Sequence, residues 1–128
     1  RLAGEAVVKY WAVVDDLAAN PTKSLNLLDP VARDQARAQR QYVLGTYTAK
    51  GWVQEGRVKV TDVRARTTDG KAFVVTACID VSGVDLVDKE GNSQVDPNRP
   101  GTWSYSYTVV KDSQNFVVTE DMLKGKPC

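Results

Sequence analysis

Apolar residues recur at intervals of three and four along the first part of the chain. Between Leu2 and Ala19 this spacing forms one apolar stripe, which predicts an amphipathic helix packed on a core. Asn20-Pro21 is expected to end the helix, because proline disfavours helical geometry in the residue before it. A short helical turn over Lys23 to Leu28 follows and offers three leucines to the core.

A second helix is predicted from Asp29-Pro30 to about Leu44. Aspartate can cap free amides, proline is pre-set for the first helical position, and Gly45 suits the C-terminal exit. Three arginines share a face away from its thin apolar side: Arg33, Arg37 and Arg40. Charged helix faces are usually solvated, so we expect this row to lie in water. The alternative is a contact strip for an anionic envelope polymer or a partner protein.

Strict alternation of apolar and polar residues replaces the helical spacing after Gly51. Gly56 to Arg66 is predicted to be a strand whose first two valines share one parity, while Val63 and Ala65 take the other. A period of two cannot change faces without an extra residue. We therefore predict a β-bulge near Thr61-Asp62, which would bend the sheet.

The central strand is predicted at Lys71 to Ser82, the longest run of β-favouring residues. Asp69-Gly70, the strongest hairpin signal of the chain, leads into it. We expect the strand to continue to Val87, with an adjustment at Gly83. The next segment, 88–100, is predicted to be a loop; its acidic residues do not have the spacing of a calcium-binding loop.

The last two strands are predicted at Thr102 to Lys111 and Phe116 to Glu120, joined by a tight turn. Alternation gives the central strands one inner apolar face, whose main members are Phe73, Val75, Ile79, Trp103, Tyr105 and Tyr107. Only the two helices can cover this face. The predicted fold class is α+β, with N-terminal helices on a strongly curved antiparallel sheet of about four strands, in one domain over 1–128.

The two cysteines of the chain are Cys78, on the outer parity of the central strand, and Cys128. A C-terminal tail folded back over the outer face would bring them together as a disulfide. The alternative is two free thiols in a reducing compartment. We favour the disulfide, because an unpaired cysteine in an exposed tail is prone to oxidation.

Composition removes several classes of function. The 128 residues include 17 basic and 16 acidic side chains, so the chain lacks the basic surface that nucleic-acid binding needs. The absence of histidine excludes Ser-His-Asp and Cys-His nucleophiles and imidazole metal sites, and we predict neither a metal nor a cofactor. No apolar run is long enough to span a bilayer. The chain begins at Arg1 without a leader, and we expect its targeting segment to lie outside this sequence.

Several stretches together resemble nuclear transport factor 2-like domains. They are the Leu-Leu-Asp-Pro helix start, Gly51-Trp52, Ala77 to Ser82, Val87 to Gly91 and the aromatic penultimate strand. The chain is most similar to exported, often lipid-anchored domains of high-GC Gram-positive bacteria and their phages. It departs from them at Phe116, where a tryptophan is usual. The resemblance implies a cone-shaped α+β fold, an extracytoplasmic location, and a monomer or homodimer.

The favoured function is a non-catalytic exported domain that binds a protein or cell-envelope partner. The first alternative is a pocket for a small hydrophobic ligand, lined by Trp11, Tyr42, Trp52, Trp103, Tyr105 and Tyr107. The second is an isomerase or dehydratase of the ketosteroid-isomerase type, which would use a buried carboxylate beside a tyrosine. Its only candidate carboxylates are Asp16, Asp62 and Asp80, and no catalytic residue is assigned.

Overall fold

Two long helices, one 3-10 turn and six strands make up the chain, and the computed structural model describes all residues, Arg1–Cys128. In chain order the elements are α1 (Leu2–Ala19), the 3-10 turn (Leu25–Leu28), α2 (Asp34–Lys50), β1 (Val53–Glu55), β2 (Lys59–Thr67), β3 (Ala72–Asp80), β4 (Asp85–Val87), β5 (Thr102–Asp112) and β6 (Asn115–Leu123). Neither helix combines the length and the apolarity that crossing a membrane requires.

The main sheet is antiparallel and has the strand order β2-β3-β5-β6, while β1 and β4 form a separate two-stranded sheet. Helix α1 lies against five strands, and α2 packs on β6. The predicted α+β arrangement of helices on a four-stranded antiparallel sheet is therefore confirmed. The first helix also has the predicted bounds, Leu2–Ala19.

The core lies between α1 and the inner face of the main sheet. Val75 and Ile79 of β3 and Tyr107 and Val109 of β5 are fully buried there, as their shared parity predicts. Residues of the same face nearer the rim are half-buried: Phe73, Trp103 and Tyr105. Burial along α1 follows the predicted stripe, and Tyr10 and Val7 have no exposed surface.

The predicted bulge lies where the parity of the valines changes. The pairing of β2 with β3 shifts register between Thr61 and Arg64, and Asp62 adopts a positive φ of 51°. The extra residue places Ala65 on the inner face opposite Val75, so the apolar residues on both sides of the bulge face the inner side of the sheet. The bulge prediction is confirmed.

The hairpin between β2 and β3 is also confirmed at its predicted position. Gly70 has a φ of 72°, a left-handed conformation that costs glycine little. The Asp69 carboxylate accepts hydrogen bonds from the backbone N–H groups of Ala72 and Lys71, and these bonds lower the pKa of Asp69.

The predicted bounds of the second helix are wrong, because α2 spans Asp34–Lys50. Long-range pairing delays its start: the Arg33 N–H donates to the Val118 carbonyl, and the Val118 N–H donates to the Val31 carbonyl. A backbone engaged with β6 cannot be helical there. The helix continues through Gly45 and ends where Gly51 takes a left-handed φ of 73°.

The central strand is shorter than predicted, because β3 ends at Asp80 and the chain turns before β4. Strand β4 pairs with β1 to form the small two-stranded sheet, which we call the lip. The lip depends on a close approach of two backbones, since a Cβ at Gly56 would overlap the carbonyl oxygen of Gly83. Segment 88–100 forms the predicted loop apart from an isolated bridge between Val87 and Ser93.

The predicted disulfide between Cys78 and Cys128 is formed, with a Cα–Cα distance of 5.9 Å. The tail continues the pairing of β6 with β5, because Lys124 donates its N–H to Ser104 and Ser104 donates its N–H to Lys126. Ser104 is the cross-strand partner of Cys78, so this pairing delivers the tail to the outer face beside the cysteine.

Removing the disulfide is expected to destabilise the chain. The bond closes a loop with a sequence separation of 50, and the chain-entropy estimate for its stabilisation is about 4 kcal/mol. The Cys78→Ala/Cys128→Ala variant should lose up to this amount in the free energy of unfolding, measured by urea titration. The reduced wild type should match the variant. Equal stability of the variant and the oxidised wild type would contradict the prediction.

Candidate functional site

Aromatic side chains of α1 and β5 meet beneath the sheet and form the centre of the candidate site. The indole Nε1 of Trp11 donates a 2.7 Å hydrogen bond to the Tyr107 hydroxyl. The Trp11 ring meets the Tyr105 ring edge-on at 5.8 Å, and the Tyr105 and Tyr107 rings stack at 5.7 Å. The structure thus brings together three of the six predicted pocket residues.

These rings fill the interior of the cone. Trp11 and Tyr107 are buried, and every buried side-chain nitrogen and oxygen of the chain has a hydrogen-bond partner. Grooves of about 300 Å³ lie instead on the surface, one of them between the N-terminal turn of α1 and Phe116 at the β5–β6 turn. The centre of the site is therefore occupied by the chain's own side chains.

The other predicted pocket residues lie away from this centre. Tyr42 is 74% exposed on the outer side of α2, so its assignment to one pocket with the buried aromatic residues is wrong; it lines an open groove on the surface of that helix. The buried stripe of α2 runs through Ala36, Arg40 and Leu44, and a residue two positions after Arg40 points away from it. Trp52 and Trp103 are half-buried.

Trp52 packs beside a tyrosine that the sequence analysis did not select. Trp52 packs on Tyr47 with ring centroids 6.1 Å apart, and the Lys50 ammonium lies 4.5 Å from the Trp52 ring centre. Burial raises the pKa of Tyr47, and the nearby positive charges of Arg40 and Arg99 oppose the rise. The hydroxyl of Tyr47 therefore stays protonated near neutral pH.

The arginine row of α2 does not form a free surface strip. Arg40 is only 8% exposed, so its assignment to the surface is wrong, and its guanidinium lies 4.7 Å from the Trp11 ring centre. The other two arginines make ion pairs with exposed aspartates. Arg33 pairs with Asp112 at 2.7 Å and Arg37 pairs with Asp29 at 2.9 Å.

A buried polar cluster joins Arg40 to Asp121 of β6 and Tyr10 of α1. Arg40 donates a 2.9 Å hydrogen bond from Nε to Oδ2 of Asp121, and its Nη2 lies 2.8 Å from the same oxygen. Nε also lies 3.0 Å from the Tyr10 hydroxyl, which donates to the same carboxylate. The i, i+4 spacing of Arg40 with Ala36 and Leu44 was the signal in the sequence that could have placed it inside.

The protonation states of this cluster are fixed by burial and charge. Burial raises the pKa of Tyr10, so its hydroxyl remains a donor. Burial by itself lowers the pKa of Arg40, but Asp121 and the neighbouring tyrosines more than offset this and raise it. Burial also raises the pKa of Tyr105 and Tyr107. The arginine and the tyrosines therefore keep their protons throughout the physiological range.

The second buried acid is Asp15, which the sequence analysis also missed. It accepts a 2.8 Å bond from the Gln54 side chain and a 3.2 Å bond from the Val58 N–H, so it ties α1 to β1 and the start of β2. Burial raises its pKa, while these two bonds and the nearby charge of Arg57 oppose the rise.

The candidate carboxylates of the isomerase alternative are not gathered in the interior. Asp16 pairs with Lys23 at 2.9 Å, and Asp62 is exposed at the bulge. Asp80 accepts bonds from the hydroxyl and N–H of Ser82, and these bonds lower its pKa. These three aspartates do not form an acid–base pair with a buried tyrosine.

Solved structures with this architecture are similar over nearly the whole chain. The intermembrane space region of the chloroplast protein ARC6 has a TM-score of 0.64 at 18% identity, covering 93% of this chain and 92% of that one. A proposed aromatic ring hydroxylase from Novosphingobium aromaticivorans has a TM-score of 0.62 at 12% identity, covering 94% and 86%. An NTF2-like protein of unknown function from Shewanella oneidensis has a TM-score of 0.50 at 12% identity, covering 93% and 96%.

These similarities define the fold as nuclear transport factor 2-like, in agreement with the predicted resemblance. No protein-family model and no curated sequence matches the chain. The solved structures differ in their described roles and are all below 20% identical to it, so they show its fold alone.

Loss of the Arg40 guanidinium is expected to be strongly destabilising. Arg40→Met leaves Asp121 buried without its cation, and such broken pairs cost about 3–5 kcal/mol in the free energy of unfolding. Arg37→Met is the matched control, because it removes an arginine of the same helix whose partner, Asp29, is exposed to water, with an expected cost of about 0–1 kcal/mol. Urea unfolding of both variants measures the difference, and similar losses would refute a structural role for the cluster.

The raised pKa of Asp15 predicts a specific pH dependence of stability. The folded state binds the Asp15 proton more tightly than the unfolded state does. Protonation of Asp15 therefore stabilises the folded chain below the ordinary pKa of 3.8, and this stabilisation is lost as pH rises through the pKa of Asp15 in the folded state. The stability of the wild type relative to Asp15→Asn should therefore fall as pH rises from 3.8. Urea titrations between pH 3.5 and 7, at roughly half-unit steps, measure it.

Asp80→Asn is the control for this pH dependence, because it removes the same charge from a position where hydrogen bonds from Ser82 lower the pKa. The wild type should not lose stability relative to Asp80→Asn over the same pH interval. If the wild type instead gains stability relative to Asp15→Asn as pH rises, the pKa of Asp15 is lowered in the folded chain and the expectation is wrong.

Proposed function

We propose that this chain is a non-catalytic exported domain that binds a protein or a cell-envelope component. The filled interior of the cone carries the proposal. Trp11 and Tyr107 bond to each other, and Arg40, Asp121 and Tyr10 bond among themselves, so the polar groups that a substrate would use are already engaged. A partner would therefore be bound by the outer surface of the domain.

The cysteine chemistry supports the exported location. Both cysteines of the chain form one disulfide, and disulfides persist in oxidising compartments outside the cytosol. The region of ARC6 that shares this fold lies in an intermembrane space, so the fold occurs between two membranes in that protein. The resemblance to exported domains of high-GC Gram-positive bacteria suggests the outer face of the cell membrane as the location.

The location is tested by trapping thiols in intact cells that produce the chain. Acid quenching followed by alkylation should leave Cys78 and Cys128 unmodified, because they are oxidised before lysis. Mass spectrometry of the two cysteine peptides, with and without prior reduction, reports the fraction oxidised. Full alkylation of both thiols without reduction would mean a reducing compartment and would end the proposal of export.

Binding is tested in the same cells by cross-linking with reagents of several lengths. A domain whose role is to bind should yield a cross-linked species of defined mass, and the purified partner should bind the isolated chain without turnover. The Arg40→Met variant tests whether the cross-link needs the folded chain, because it alters a buried residue and weakens the fold. Recovery of the monomer alone at every cross-linker length would contradict the proposal.

Binding of a small apolar ligand beside Trp52 is the second candidate function. Tyr47, Trp52 and Tyr105 are half-buried, Tyr47 packs on Trp52, and the Tyr47 hydroxyl makes no hydrogen bond within the chain. A thermal-shift screen with sterol-like and polyketide-like compounds separates the candidates. Stabilisation lost in Trp52→Ala but kept in Tyr42→Ala would favour this candidate, and no stabilisation favours the first.

A further inference from the structure

One edge of the main sheet is open, and it belongs to β2. The opposite edge is partly covered, because the segment 31–33 hydrogen-bonds to Val118 of β6. Beyond the bulge at Asp62, the residues of β2 from Val63 to Thr67 are all exposed. Their outward backbone N–H and C=O groups have no partner strand, which is the arrangement that accepts an added strand.

On the inner side of this edge, an apolar groove of about 320 Å³ runs between α1 and β2. It is lined by Gly4, Val8, Val63 and Ala65, with Arg1 and Glu5 at its rim. Val8 is 47% exposed and Val63 is 37% exposed, so apolar surface is left uncovered here. A Cβ at Gly4 would lie 2.8 Å from a methyl group of Val63, so a side chain at this position would crowd the groove.

On the outer side of the same edge, two arginines stand beside a second groove. Arg64 and Arg66 lie opposite Thr76 and Val74 of β3 and share the outer face. They line a groove of about 230 Å³, and neither takes part in any of the four ion pairs of the chain. The outer side therefore offers two uncompensated positive charges at strand spacing.

We propose that the Val63–Thr67 edge of β2 binds an extended peptide in which apolar and acidic residues alternate. Successive side chains of a strand point to opposite faces, so one set would enter the apolar groove and the other would reach Arg64 and Arg66. This inference rests on the proposed function, because it gives the partner's chemistry. A second copy fits poorly, since antiparallel pairing of two β2 edges about Ala65 sets Arg64 against Arg66.

The probe is a labelled heptapeptide of alternating valine and glutamate with blocked ends. Its dissociation constant for the oxidised wild-type chain is measured by fluorescence anisotropy, and amide chemical shifts locate the site. Binding with shifts confined to β2 and the first turns of α1 is expected. A peptide with lysine in place of glutamate should bind at least roughly tenfold more weakly. Equal binding of the two peptides, or no binding at millimolar concentration, overturns the proposal.

Two N-methylated forms of the peptide test for strand addition itself. In a strand, alternate residues direct their N–H groups to the same side, so methylating all valine amides or all glutamate amides blocks only one edge of the peptide. One form should lose binding and the other should keep it. Equal effects of the two methylations would mean contact without backbone pairing and would overturn the proposal.

The Arg64→Glu/Arg66→Glu variant tests the charge requirement. It should bind the glutamate peptide at least roughly tenfold more weakly and the lysine peptide more tightly than the wild type does. Lys124→Glu/Lys126→Glu makes the same change of net charge on the exposed tail and should bind like the wild type. Equal weakening by both variants would indicate a net-charge effect and overturn the proposed site.

Cross-linking of the same variants in cells separates this inference from the proposed function. If the Arg64→Glu/Arg66→Glu chain cross-links to its partner as the wild type does, the edge proposal fails while the binding function stands. If the peptides behave as expected but neither chain cross-links to a partner, the edge proposal stands and the proposed function fails. A cross-linked homodimer joined through β2 would replace the peptide by a second copy and overturn the edge proposal.

Discussion

The ion pair between Arg40 and Asp121 is the constraint on which the rest of the structure depends. Removing two charges from water costs several kcal/mol per ion, so the pair is tolerable only with good geometry and further hydrogen bonds. Tyr10 provides one such bond, and Gln35 exchanges two bonds with the Asp121 backbone. The cluster therefore fixes α2, β6 and α1 relative to one another and fills the interior between them with the chain's own side chains.

The parts of the fold that were predicted from the sequence are those set by local chemistry and strand parity. The parity change after Thr61 located the bulge, and Asp69-Gly70 located the hairpin, because each feature is determined within a few residues. The disulfide was predictable because parity put Cys78 on the outer face of β3. The bounds of α1 were also predictable from local sequence, because its apolar stripe and the Asn20-Pro21 stop signal lie within the helix and directly after it.

The parts that were not predictable depend on contacts between distant residues. Pairing of Val31 and Arg33 with Val118 overrides the helix-start signal of Asp29-Pro30, and no local pattern records it. The helical spacing of Arg40 with Ala36 and Leu44 indicates burial, but it does not identify the partner Asp121, which is 81 residues away and was not among the candidate residues. The candidate site was therefore only partly predicted. Helical spacing selected Trp11 and strand alternation selected Tyr105 and Tyr107, whereas Arg40 was assigned to the surface and the buried aspartates were missed.

The contact between Gly56 and Gly83 has a consequence for how such a domain can vary over time. It is a meeting of two main chains, so the spacing of the chain segments that flank β1 and β4 is set there without any side chain. A methyl group added at Gly56 would overlap the Gly83 carbonyl oxygen and would also be strained by the positive φ of 79°. The smallest possible mutation at this position would therefore require one of the two main chains to move, whereas a substitution at an exposed position would not.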